Sequence, residues 1–131
     1  MRIKIALATI ATLCAVQAKA EWLKLSTSSN GDVWLIDPTR MKSLGGRKFE
    51  VWIKMDHSRN RSISYRTSLN LFGINCSSQK YKLLSYVNYD SFGKVVSSHT
   101  FTEYGYEIGY EPIIPETMVE SISNAVCVVT D

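Results

Sequence analysis

Apolar and polar residues alternate along most of this chain with a period of two, the spacing of a half-buried β-strand. Between residues 48 and 55, Phe49, Val51, Ile53 and Met55 share one face, while Lys48, Glu50 and Lys54 take the other and Trp52 alone interrupts the polar side. From 63 to 71, Ile63, Tyr65, Thr67, Leu69 and Leu71 alternate with Ser64, Arg66, Ser68 and Asn70. The polar connection Asp56-His57-Ser58-Arg59-Asn60-Arg61 between these runs predicts a hairpin with a basic tip. Residues 81–89 and 94–101 form a second pair across Asp90-Ser91-Phe92-Gly93, where Gly93 supplies the positive φ such a turn needs. Two earlier segments, 22–27 and 33–37, flank a turn at Ser29-Asn30-Gly31-Asp32. About six strands in sequential hairpins predict an antiparallel sheet.

Near its end the chain changes period. Met118, Val119, Ile122, Ala125 and Val126 recur at three- and four-residue spacing, with Glu116, Glu120, Ser121 and Asn124 on the opposite side. Thr117-Met118-Val119-Glu120 has capping-box form, and Pro115 just before it agrees with a fresh start. One short amphipathic helix follows, ending near Cys127. A helix of this length is marginal alone in water, so it must be held by packing on the sheet. The fold class is α+β, mainly β: one sheet with a covered face and an available face, and one C-terminal helix.

The first twenty residues read differently. Arg2 and Lys4 form a basic start, residues 5–16 an apolar run, and Ala18-Lys19-Ala20 a small-x-small cleavage signature before Glu21. Residues 1–20 are therefore expected to be a secretory signal and residues 21–131 a single mature domain, exported to the periplasm, the outer-membrane surface or the medium. No later run approaches the length of a membrane span, so no transmembrane segment is expected. Cys14 follows the bulky Leu13, where a lipid-attachment signal wants a small residue.

Cleavage alters the charge balance. The chain has 15 Lys and Arg against 12 Asp and Glu, but Arg2, Lys4 and Lys19 belong to the leader, so the apparent basic character vanishes with it. What remains is uneven along the sequence. Residues 21–82 are rich in Lys and Arg, whereas after residue 82 Lys94 stands alone against seven acids. Neutral overall, the mature chain carries no signature of a nucleic-acid partner.

Two cysteines survive cleavage, Cys76 and Cys127. In an oxidising compartment an even pair is most simply a disulfide, the alternatives being an intermolecular bond or two free thiols. It would fasten the helix end, at Cys127, covalently to Cys76.

At this point the residues resemble the bacterial surface-adhesin protein E family. The resemblance rests on Trp22 after the leader, Val51-Trp52-Ile53-Lys54, Cys76 followed by Tyr81, Ser85 and Tyr89, then Gly93, Ile114-Pro115, Thr117, Glu120 and Val126-Cys127. It spans nearly all of the mature chain. It implies a small antiparallel sheet with a C-terminal helix tied across it by the disulfide. By the same resemblance, expected partners are host proteins such as vitronectin, laminin and plasminogen, met at the bacterial surface. This chain departs from the pattern at Tyr110, where a Trp is expected before the Ile-Pro segment, and in lacking a lipidation cysteine at the mature start.

Catalytic chemistry finds little purchase. Asp56-His57-Ser58 contains the residue types of a hydrolase triad, but consecutive side chains cannot converge as a triad must, and no Gly-x-Ser-x-Gly elbow occurs. His57 and His99 are the only histidines, so with both cysteines in a bridge no structural zinc set remains. No enzyme activity, metal or cofactor is expected. Two tracts suit binding. Lys54, Arg59, Arg61 and Arg66 could pair with acidic segments or sulfated glycans, and Tyr104, Tyr106 and Tyr110 bring the aromatic type that dominates interface hot spots. The expected function is therefore a small exported adhesin-like module. The alternatives are a periplasmic accessory protein that meets no host and a small-ligand carrier using the uncovered sheet face. A second copy of the chain is a further candidate partner.

Overall fold

A computed structural model describes residues 21–101 and 109–129; residues 1–20, the expected leader, lie outside the described residues, and so do Tyr104 and Tyr106. The elements are β1 (Leu23–Thr27), β2 (Val33–Ile36), a 3₁₀ turn (Pro38–Arg40), β3 (Lys42–Gly45), β4 (Lys48–Asp56), β5 (Thr67–Asn75), β6 (Lys80–Tyr89), β7 (Val95–Thr100), β8 (Glu111–Pro112) and α1 (Met118–Val129). All strands join one antiparallel sheet in the order β1-β2-β4-β5-β6-β7, with β3 added beside β4 and β8 beside β6. Every residue of β3 is exposed and β8 is only two residues long, so neither shows an alternation, which is why alternation yields six strands and the sheet has eight. The expected turn glycine, Gly93, has φ of 77°.

Residues opposite one another in an antiparallel pair share a face. Val51 opposes Phe72, Phe49 opposes Ile74 and Ile36 opposes Ile53, so these side chains form one apolar surface. Helix α1 lays Ile122 and Val126, one turn apart, onto it, and both are fully buried with Val51, Ile53 and Ile74. Each such burial contributes about 2 kcal/mol. The helix start follows the capping motif, with the Thr117 hydroxyl accepting from the Glu120 N–H at 3.3 Å. The Glu120 carboxylate reaches back to the N–H of Glu116, one residue further out than a capping box requires. Cys76, just past β5, is bonded to Cys127 in the last turn, with Cα atoms 5.7 Å apart. Among the described residues no helix is long and apolar enough to cross a membrane.

One strand differs from the alternation. It begins at Thr67, so residues 63–66 stay in the loop, where Tyr65 turns its ring edge-on to His57 at 5.2 Å. Its inward face is moreover the polar one at this end: Ser68 and Asn70 are buried while Leu69 and Leu71 are half-buried on the other side. Burying polar groups is tolerated when they are paired. Here the Ser68 hydroxyl donates to Asn88 Oδ1 at 2.7 Å and the Asn70 amide to Met55 Sδ at 3.2 Å. The inward face therefore has an apolar half under the helix and a polar half beside it.

Candidate binding surfaces

The basic loop between β4 and β5 is braced from inside. His57 is buried, with Nδ1 2.7 Å from Asp32 Oδ1 and Nε2 2.7 Å from Ser68 Oγ. Asn60 is buried too: its amide donates to Asp32 Oδ1 at 3.1 Å and its carbonyl accepts from the Ser62 N–H and hydroxyl. The chain continues from Ser68 through Asn88, whose amide donates to Ser97 on β7 at 2.9 Å. Gly31 lets the neighbouring turn approach, since a Cβ there would lie 3.2 Å from the Arg59 carbonyl and φ is 94°. With residues 57 and 60 turned inward, Ser58, Arg59 and Arg61 are turned out into solvent.

Asp32, His57 and Ser68 thus meet in the contact order of a hydrolase triad, assembled from three separate elements, but the Ser68 hydroxyl donates to Asn88 Oδ1 rather than to His57. Ser68, however, is 3% exposed near the start of β5, and its hydroxyl is held between His57 and Asn88. Attack on an external substrate needs a reachable nucleophile. The arrangement ties β4, β5, β6 and the turn after β1 together.

The structure separates the four basic residues that the sequence groups. Arg59 and Arg61 sit on the braced loop. Arg66 is exposed at the loop's end. Burial pushes the neighbouring Asp56 carboxyl up, but the Ser58 N–H and hydroxyl, and after them Arg66 and Lys54, outweigh it and hold the carboxyl below the usual range. Lys54 lies on the outward sheet face instead, its Nζ 5.8 Å from the centre of the Trp22 ring.

That outward face is not uniformly open. At one end Trp22, Trp52, Leu69, Val87 and Tyr89 line a trough of about 290 Å³ with Arg40, whose guanidinium lies 5.8 Å from the Trp22 ring centre. A contiguous space of about 330 Å³ shares Trp22, Arg40, Leu69 and Tyr89, and adds Lys54, Thr67 and Gly93. Arg40 Nε is 3.2 Å from Asp37 Oδ2, although the N–H is not aligned for a hydrogen bond. The Asp37 carboxyl is held below the usual range, first by the Thr39 hydroxyl, then by the Thr39 N–H and Arg40, against its burial. At the other end Tyr110 packs over Gly73, where a Cβ would come within 2.8 Å of its hydroxyl, and Lys82 Nζ lies 4.9 Å from its ring centre. Tyr110 is thereby placed in the sheet surface, away from the basic loop. Sequence reasoning passed over Trp22, Arg40 and Tyr89 as site residues; Trp52 breaking the polar side of β4 was the available signal.

A family model described as surface-adhesin protein E matches residues 22–128, the whole of the sheet and nearly all of the helix. The chain belongs to that family. No curated protein matches the chain, and no solved structure does. The expected disulfide and the helix on one sheet face accordingly belong to a surface-adhesin protein E domain. Trp22, the first residue of the match, lies in the trough, and Cys127, beside its last, closes the bridge.

Proposed function

We propose that this surface-adhesin E domain is an exported, non-enzymatic binding module that docks host extracellular proteins at the bacterial surface through the loop carrying Arg59 and Arg61. The family match over residues 22–128 carries the reading. Its partner class is the one the family resemblance implies, vitronectin, laminin or plasminogen. The loop supports the assignment because its two outward guanidiniums are presented by a buried scaffold, so little freedom is lost when an acidic segment pairs with them.

Binding of the purified protein to immobilised laminin, vitronectin and plasminogen tests this directly. Arg59→Ala with Arg61→Ala should weaken binding about tenfold or more and flatten its salt dependence, since exposed charges are screened over about 8 Å at physiological ionic strength. Protease shaving of intact cells should release fragments of the domain. Protection from shaving, together with no binding to any of the three proteins, favours a periplasmic accessory role instead.

A further inference from the structure

The trough on the outward face combines features that the basic loop does not. It is floored by apolar and aromatic side chains from three adjacent strands: Trp52 on β4, Leu69 on β5, and Val87 and Tyr89 on β6. Neighbouring strands lie about 4.8 Å apart, so the floor is about 10 Å wide. Trp22 forms one wall, and Arg40 and Lys54 each lie 5.8 Å from the centre of that indole. The negative charges nearby are differently disposed. Asp37 is wholly buried behind Arg40. Asp56 accepts from the Ser58 N–H at 2.9 Å and faces Arg66 as well as Lys54. Arg40 is exposed and Lys54 half-buried, so both cations reach solvent here, with Glu21, Glu50 and Asp90 next along the chain or strand to Trp22, Trp52 and Tyr89.

From this we infer that the trough is a binding site for an acidic oligosaccharide, one bearing sulfate or uronic carboxylate groups. Pyranose rings present flat C–H faces, which stack on indole and phenol faces, while sulfates and carboxylates at their edges meet guanidinium and ammonium donors. A free anion gains nothing from the aromatic floor, and a neutral sugar lacks the negative charge that strengthens hydrogen bonds from Arg40 and Lys54. The inference does not depend on host-protein docking at Arg59 and Arg61, which lie on a separate loop.

Titration of the purified protein with a heparin-derived tetrasaccharide, read by tryptophan fluorescence, tests it against maltotetraose and inorganic sulfate. The sulfated tetrasaccharide should shift the emission, because Trp22 and Trp52 line the trough. Lys54→Gln should weaken it about fivefold and Trp52→Ala about tenfold, with Arg59→Ala plus Arg61→Ala leaving it unchanged. Circular dichroism checks each fold, and Lys54→Gln removes a charge from a half-buried side chain without opening the core, so the test survives if Trp52→Ala does not fold. Affinity that is the same in Lys54→Gln, or that is lost with the two loop arginines instead, overturns the assignment. So does maltotetraose binding as tightly, inorganic sulfate competing equally well, or no tetrasaccharide binding at millimolar concentration.

Discussion

His57 Nδ1 and Asp32 Oδ1 stand 2.7 Å apart although 25 residues separate them, and both side chains are buried. Through this contact the turn after β1 holds the loop after β4, and Ser68 and Asn88 extend the bonding across the sheet to Ser97. Asp32→Ala strips His57 Nδ1 and the Asn60 amide of their shared acceptor, and should cost about 3 kcal/mol. Ser68→Ala leaves His57 Nε2 and Asn88 Oδ1 without their partner and should cost about 2 kcal/mol. Urea unfolding curves measure both. A Ser68→Ala protein as stable as the parent contradicts a bracing role for the network.

The Cys76–Cys127 bond closes a separation of 51 residues. Replacing both cysteines by serine should remove about 4 kcal/mol, mostly by restoring freedom to the unfolded chain. Denaturation with and without reductant measures the difference. A loss well under 1 kcal/mol would mean that the helix is held by Ile122 and Val126 alone.

At the helix start, Thr117→Ala removes both the acceptor for the Glu120 N–H and the hydroxyl's own bond to the Ile114 carbonyl. The expected cost is about 1 kcal/mol, whereas Ser121→Ala on the opposite side should be near neutral. Equal losses for the pair contradict the assigned register.

Gly73 and Tyr110 should be energetically coupled. Gly73→Ala places a methyl within 2.8 Å of the Tyr110 hydroxyl, a side-chain end that can shift, so the cost should be modest, about 1 kcal/mol. In a Tyr110→Phe background that cost should shrink, because the obstructing oxygen is gone. A double-mutant cycle with no coupling removes the contact from consideration.

Asp37 sets an acid dependence. Its carboxyl is ionised more readily in the folded protein than in the unfolded chain, so its contribution is present above the unfolded carboxylate range and fades as pH falls through the still lower folded value. Stability should therefore decline below about pH 4, and Asp37→Asn should flatten that decline while lowering stability at neutral pH. Denaturation midpoints between pH 2 and 7 report it; an unchanged acid limb in Asp37→Asn assigns the decline to other groups.

What the sequence determined by itself is what repeats locally. The period-two run 48–55 became β4, the change to three- and four-residue spacing at Met118 became α1, and Cys76 and Cys127, the pair that the expected cleavage leaves, became the bridge, because each depends on neighbours along the chain or on the choice of one pairing. The onset of β5 was not legible, since Ile63 and Tyr65 continue the alternation but stay in the loop, where Tyr65 packs on His57 at the loop's other end. Nor was the inward turn of Ser68 and Asn70, whose burial rests on Asn88 and Met55. The tertiary structure alone decided that Lys54 parts from Arg59 and Arg61 to join Trp22 and Arg40, and that Asp32, His57 and Ser68 meet. Those groupings form across strands, where strand order and register rather than spacing along the chain set which side chains touch.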